Sequence, residues 1–262
     1  MLQPEVIHKA NIEAHKLEAS IYEQRHPEIY GYSEQKRITK TLQIITVMIE
    51  DNEKHALDFG AGTGNLTGRL LRLGYKVTAV DISPDMCVQL KKKFQQEILK
   101  GNLKVVNSEV EEFKTAAKYD LITCYSVLHH LPDYIQTIKE LAALLHTGGC
   151  MYLDHEASPY YWTNQNFRGI ERIINFSNRI VDFPFRFRRG TKISIDYNMS
   201  DYWTSKDRHI DHKKIERAFI QLHFSIHRRI DYHVSKTLVV NPAFIAYQLL
   251  MKPTTSCWIA KK

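Results

Sequence analysis

Gly60, Gly62 and Gly64 alternate with small residues in LDFGAGTGN, directly after a short apolar run. A glycine-rich loop leaving a strand lets backbone approach a ligand closely. Two phosphate-binding patterns fail at the neighbouring positions. The dinucleotide fingerprint wants its third glycine where Asn65 stands, and no Gly-Lys-Ser/Thr follows, as a nucleoside triphosphate loop requires. Asp58, two residues before the first glycine, would repel a pyrophosphate and suit a ligand that carries a cation. Asp81 ends the run VTAVD, where an acid can accept hydrogen bonds from ribose hydroxyls. The expected ligand is a nucleoside with free ribose hydroxyls and a positively charged tail.

A second set of residues could move a proton. His129 and His130 stand in SVLHHLPD, and Asp154, His155 and Glu156 in YLDHEASP. Both stretches follow runs read as strands, so a histidine and a carboxylate can face each other across a cleft as a general base. The expected pair is His129 with Asp154, and His155 is its substitute.

The elements that must hold these residues follow from hydrophobic period and punctuation. HALDF, YKVTAVD, LKVVN, YDLITCYS and CMYLDHE read as strands, and helical runs separate most of them. Ser83, Pro84 and Gly101 mark the start and end of one helix; Gly148-Gly149 is read as the end of another. Such alternation argues a parallel sheet covered on both faces. Residues 4–25 read as one helix, and Ser33 as the cap of a second with Ile38, Leu42, Ile45 and Ile49 on one stripe. Four segments result: an N-terminal helical lid (1–52), a ligand-binding core (53–156), an inserted cap (157–205), and the rest of the core (206–262), with a short apolar helix near 242–251.

In order and at normal spacing, LDFGAGTGN, VTAVDISPDM, NSEVEEF, YDLITCYSVLHHLPD and LLHTGGCMYLD resemble the class I S-adenosylmethionine-dependent methyltransferases, in the branch that methylates small molecules. The resemblance covers roughly residues 54–155. It implies an α/β fold: a seven-stranded, mostly parallel, doubly wound Rossmann-like sheet. It implies S-adenosylmethionine as cofactor, with Asp58 at the methionine end and Gly60, Ala61 and Gly62 running against it. Asp81 would hold the ribose, Ile82 pack on the adenine, Glu109 take the place of the family's usual Asp, and the Val110 backbone meet the adenine edge. Tyr125 and Ser126 would line the methyl-transfer centre, and Tyr22, Tyr30 and Tyr32 would reach the methionine end from the lid. A metal-dependent relative places acids where Ser126 and His129 stand, so no metal is expected. The reaction implied is methyl transfer to oxygen or nitrogen of a small molecule, acidic acceptors among them. An RNA or lipid-headgroup methyltransferase, or an inactive cofactor-binding interaction protein, is the alternative.

Composition bounds these readings. The chain has 262 residues, 44% hydrophobic and 25% charged, which suits a soluble protein. No apolar run approaches the ~18 to 20 residues of a membrane-spanning helix, and no secretory leader is read at the N-terminus. Cys87, Cys124, Cys150 and Cys257 lack metal-type spacing and read as buried thiols of a cytoplasmic protein. Residues 1–156 carry 18 Lys and Arg against 21 Asp and Glu; residues 157–262 carry 18 against 8. Arg168, Arg172, Arg179, Arg186, Arg188, Arg189 and Lys192 concentrate the excess in the insertion, as a solvated face, a site for an acidic acceptor, or an RNA contact. The absence of an N/D-P-P-Y/F box after the fourth strand counts against methylation of a nucleic-acid base amine.

Overall fold

A computed structural model describes residues 3–49, 54–109, 112–161, 200–205, 208–234 and 252–262. Val110, the arginine cluster of the insertion and the expected apolar helix near 242–251 lie outside the described residues.

Seven strands form one sheet: β1 (His55–Phe59), β2 (Lys76–Asp81), β3 (Leu103–Asn107), β4 (Tyr119–Tyr125), β5 (Leu145–Ala157), β8 (Ile226–Tyr232) and β9 (Thr255–Lys261). Their order is β3-β2-β1-β4-β5-β9-β8. β1 to β5 pair in parallel, and β9 runs antiparallel to both its neighbours. β6 (Thr204–Ser205) and β7 (Arg208–His209) make a separate two-stranded ribbon. β1 lies between β2 and β4, so the chain leaves it in one direction and later returns on its other side. That reversal opens a crevice at the carboxyl ends of β1 and β4. Every residue of β4 is buried, as a central parallel strand covered on both faces requires.

One face of the sheet packs α8 (Tyr134–Ala143) and α9 (His212–Gln221) over Leu57, Ile122, Met151, Leu153 and Trp258. The other receives α4 (Tyr32–Met48), whose Ile38, Leu42 and Ile45 are fully buried. Each such side chain contributes about 1.5 to 3 kcal/mol. The four cysteines are free and buried. Among the described residues no helix is long and apolar enough to cross a membrane.

Several expected boundaries shift. The helix expected over 4–25 divides at residues 19–21 into α1 (Pro4–Glu18) and α2 (Tyr22–Arg25); Pro27, which cannot continue the ladder of α2, starts a separate turn, α3 (Pro27–Tyr30). α4 begins one residue before Ser33, after Gly31, with no side-chain cap. Ser83 does cap α6 (Pro84–Lys93), accepting from the Met86 N–H at 3.3 Å, but Phe94 separates it from α7 (Gln95–Leu99). α8 ends before Gly148-Gly149, and β5 runs through both glycines. α5 (Thr67–Arg72) follows the glycine loop.

A buried ionic cluster fixes α4 to the sheet. Arg37 Nη2 donates to Glu34 Oε1 at 2.5 Å, to Asp154 Oδ2 at 2.6 Å and to the Tyr232 hydroxyl at 2.9 Å. Its guanidinium lies 3.8 Å from the centre of the Tyr232 ring. Tyr152 and Tyr232 donate to Asp154, and Tyr125 donates to Glu34 at 2.7 Å. Burial pushes the Asp154 carboxyl up and the guanidinium opposes it. Removing the single cation strands two buried carboxylates, so Arg37→Met should cost about 3 to 5 kcal/mol in urea unfolding. The double variant Arg37→Met with Asp154→Asn should recover part of that loss; strict additivity would show that the two side chains do not interact in the fold.

Candidate active site

The glycine loop is built for close approach. Gly60 has φ +70°, and a Cβ there would stand 2.3 Å from Cγ2 of Val127, so no other residue fits without moving the loop after β4. The Gly60 and Ala61 N–H groups both donate to the Val80 carbonyl, at 2.8 and 3.0 Å. Asp81 completes the loop: its Oδ2 accepts from the Gly62 N–H at 2.7 Å and its Oδ1 from the Ser83 N–H at 2.9 Å. Burial raises the Asp81 carboxyl, while nearby His15 and the two N–H groups hold it down; the balance is upward. Asp58 is buried beneath the loop and accepts from the Thr67 hydroxyl at 2.6 Å and the Thr123 hydroxyl at 2.9 Å. Burial dominates there and pushes Asp58 up to about 6.

Two adjoining hollows share Tyr22, Gly60, Gly62 and Tyr125 and together make one cleft. Asp81, Ile82, Ser108 and Ser126 line the first, and Asp58, Ala61 and Tyr30 the second. The cleft thus gathers most residues read as ligand-binding, with an acid at each end. Tyr30 is held by a hydrogen bond of 3.0 Å between its hydroxyl and that of Thr63. Tyr32 does not reach the cleft and is 69% exposed. Glu109 turns toward α1 and meets His8 Nδ1 at 3.2 Å.

α1 contributes a face that the sequence reading missed. His8, Asn11 and His15, spaced three and four apart, line the first hollow. Asn11 Oδ1 and His15 Nδ1 are buried with no hydrogen-bond partner among the described residues. Unpartnered buried polar atoms at a cleft wall are places for a ligand to bond. The signal was a polar i, i+3, i+7 stripe, on a helix whose Leu17 is 53% exposed. Beyond α1, His26 bridges Glu28 at 2.8 Å and Glu18 at 3.4 Å. Burial would lower it, but the two carboxylates prevail and bring it to about 9.

The expected His129–Asp154 pair does not form. Asp154 is fully buried in the Arg37 cluster, and His129 Nδ1 meets Glu156 Oε2 at 2.8 Å. The cause lies in the backbone. Tyr152 and Asp154 face α4, and Met151 and Leu153 face α8; regular alternation would put Glu156 with Asp154. His155, at φ +65°, interrupts that alternation, and Glu156 emerges on the other side. Its Oε1 caps the 3-10 turn Leu128–His130, accepting from the Val127 and Leu128 N–H groups at 3.1 and 2.8 Å. Burial alone would lower His129; Glu156 overrides it and the net shift is upward. Ser126, opposite at the end of β4, is also left-handed at φ +60°. His155 Nδ1 lies 3.3 Å from the Ser126 hydroxyl, its ring stacks on Tyr125 at 5.0 Å, and its buried Nε2 has no partner. Left-handed conformations are costly for residues with a Cβ, and here they turn two polar side chains at the strand ends. Among the described residues, His129, His130 and Asp201 form the one group with donor atoms spaced as metal ligands are.

A family model described as a methyltransferase domain matches residues 57–151. The ubiquinone biosynthesis O-methyltransferase of Coxiella burnetii (strain Dugway 5J108-111) is 34% identical over 127 residues, 48% of this chain and 51% of that protein. The protein of the same name from Xanthomonas axonopodis pv. citri (strain 306) is 30% identical over 112 residues, 43% of this chain and 47% of that one. The chain spans about half the length of these curated relatives. Among solved structures, the N-methyltransferase NodS from Bradyrhizobium japonicum WM9, in complex with S-adenosyl-l-homocysteine, aligns over 96% of both chains with a TM-score of 0.59 at 12% identity. Magnesium protoporphyrin IX methyltransferase from Synechocystis PCC 6803, with bound SAH, aligns over 87% of this chain and 83% of that one, with a TM-score of 0.54 at 18% identity. These two likenesses establish the fold, and the matched domain lies across the glycine loop, Asp81 and the loop after β4. Residues 57–151 thus match a methyltransferase domain, and the fold is that of solved S-adenosylmethionine-dependent methyltransferases.

Proposed function

We propose that this protein transfers a methyl group from S-adenosylmethionine to an oxygen or nitrogen of a small molecule. The observation that carries the reading is the cleft with Asp58 at one end, Asp81 at the other, and unpartnered Asn11 Oδ1 and His15 Nδ1 along its wall. This donor set fits the cofactor: carboxylates for an ammonium and for ribose hydroxyls and, among the described residues, no Lys or Arg in the lining for a phosphate. Bound there, the cofactor supplies a methyl group on a sulfonium leaving group. Gly60, Ala61 and Gly62 would bring backbone against it, and Ile82 would pack on its base. Tyr22 and Tyr30, with α1 to α3 as lid, would exclude water from the reacting atoms. Positioning of this kind supplies several kcal/mol of a displacement barrier.

For the acceptor, His155 is the assigned proton acceptor. Its Nε2 is buried and unpartnered, beside Tyr125 and Ser126 at the carboxyl ends of β4 and β5. His129, backed by Glu156, is the second candidate, and Asp154 drops out because Arg37 holds it. The name of the curated relatives favours oxygen as the acceptor atom. The basic balance of residues 157–262 favours an acidic molecule.

A screen of phenols, carboxylates and amines with labelled cofactor should yield turnover. His155→Ala should then lower kcat by about 10²-fold or more with S-adenosylhomocysteine affinity unchanged. Near-normal turnover in that variant, with a large loss in His129→Ala, would move the role to His129.

Asp58 gives a pH test. Its carboxyl is raised to about 6, so it is neutral below that and cannot hold an ammonium. Affinity for S-adenosylhomocysteine in calorimetry should rise with pH through about 6 and then level off. Asp58→Asn should bind weakly and without that step. An unchanged step in the variant would remove Asp58 from the methionine end.

A further inference from the structure

The loop after β4 meets the segment returning from the insertion at His129, His130 and Asp201. One donor atom from each residue, a ring nitrogen or a carboxylate oxygen, lies within 4.8 Å of the others. The two imidazoles are sequence neighbours, yet their ring centres are only 4.0 Å apart. Glu156 holds the 3-10 turn from one side, and the Trp203 N–H donates to the His129 carbonyl at 3.0 Å from the other.

Both rings are oriented through Nδ1. His130 Nδ1 donates to the Ser200 carbonyl at 2.9 Å; a carbonyl only accepts, so that nitrogen carries the proton. His129 Nδ1 faces the Glu156 carboxylate at 2.8 Å, and by the same logic it carries a proton. That leaves Nε2 of each ring as the nitrogen that can hold a metal, releasing its own proton where the ring is charged. A histidine that gives its far N–H to a carboxylate or a carbonyl is the usual arrangement when the other nitrogen holds a metal.

We propose that His129, His130 and Asp201 bind a divalent transition-metal ion, with Glu156 and the Ser200 carbonyl orienting the two imidazoles. Two nitrogens and one carboxylate suit zinc, cobalt, nickel or iron better than magnesium or calcium, which prefer all-oxygen sites. Metal–donor bonds of about 2.1 Å place neighbouring donors roughly 3.4 Å apart in a tetrahedral site. The site must therefore draw in slightly. Asp201 is the ligand free to do so: its side chain is 30% exposed, and its Oδ1, now 3.4 Å from His130 Nδ1, would swing to the Nε2 side of the ring. The ion would pin the end of the insertion to the core beside the cleft, which His130 lines. This inference stands apart from the methyl-transfer reading, because binding is read without acceptor or cofactor.

The test uses the full chain, stripped with a chelator and titrated with Co²⁺ while visible absorption is followed. One equivalent should bind, Zn²⁺ should displace it, and Mg²⁺ should not. Asp201→Asn, a near-isosteric change at a side chain that is 30% exposed, should weaken Co²⁺ binding at least tenfold with the urea unfolding midpoint little changed. Glu156→Gln should weaken it about 10- to 100-fold. His146→Ala, at an exposed histidine near the start of β5, should leave it unchanged. Absence of saturable Co²⁺ binding would overturn the proposal. Equal binding by wild type and Asp201→Asn, or an equal loss in His146→Ala, would overturn it too.

Discussion

Two carboxylates buried on one guanidinium set the geometry at the carboxyl end of the sheet. Glu34 comes from α4, Asp154 from β5, and the Tyr232 ring that stacks on Arg37 from β8. Desolvating these charges is expensive, and the cluster holds only when every partner is in place. The helix, the parallel strand and the far edge of the sheet are thereby locked to one another. Tyr125 inherits its position from the same cluster through its bond to Glu34, and Tyr125 borders both hollows of the cleft. The specificity of a buried polar network, rather than its net stabilisation, fixes the floor on which the reacting groups would meet.

Local pattern carried the glycine loop, Asp58, Asp81 and the five parallel strands, because each depends on neighbours in sequence. The strand-to-loop junction at Gly60 needs left-handed backbone, and glycine announces it. His155 adopts the same backbone region with no such announcement. Its turn sends Glu156 to His129, and strict alternation along β5 could not reveal this. The division of roles between Asp154 and Glu156 also required knowing that Arg37 arrives from a helix more than a hundred residues earlier. Long-range charge pairing has no local period to read.

The N-terminal helices show a different limit. A helix is normally read by its apolar stripe, which marks the face it buries against protein. α1 buries His8, Asn11 and Glu18 alongside Ile7 and Ala14. Its inward face is polar because part of what it faces is a cleft. His26, charged between Glu18 and Glu28, then ties α1 to the short helices that carry Tyr22 and Tyr30. The helices nearest the cleft are thus held to each other partly by ionic contacts, whereas the sheet beneath them is held by hydrocarbon. Segments joined in that way open at lower cost than a packed core.

The four buried thiols turn this difference into something that can be timed. Cys124, Cys150 and Cys257 sit on three adjacent strands, β4, β5 and β9, where burial holds each thiol protonated and out of reach. Cys87 sits instead on α6, against the carbonyls of Asp81 and Val106 at the Asp81 end of the cleft. A thiol reagent would meet Cys87 when the helical layer over β2 and β3 loosens, Cys150 and Cys257 when α4 lifts from its face of the sheet, and Cys124 when the opposite layer does. The chain carries its own clock for the opening of each helical layer, with no label added.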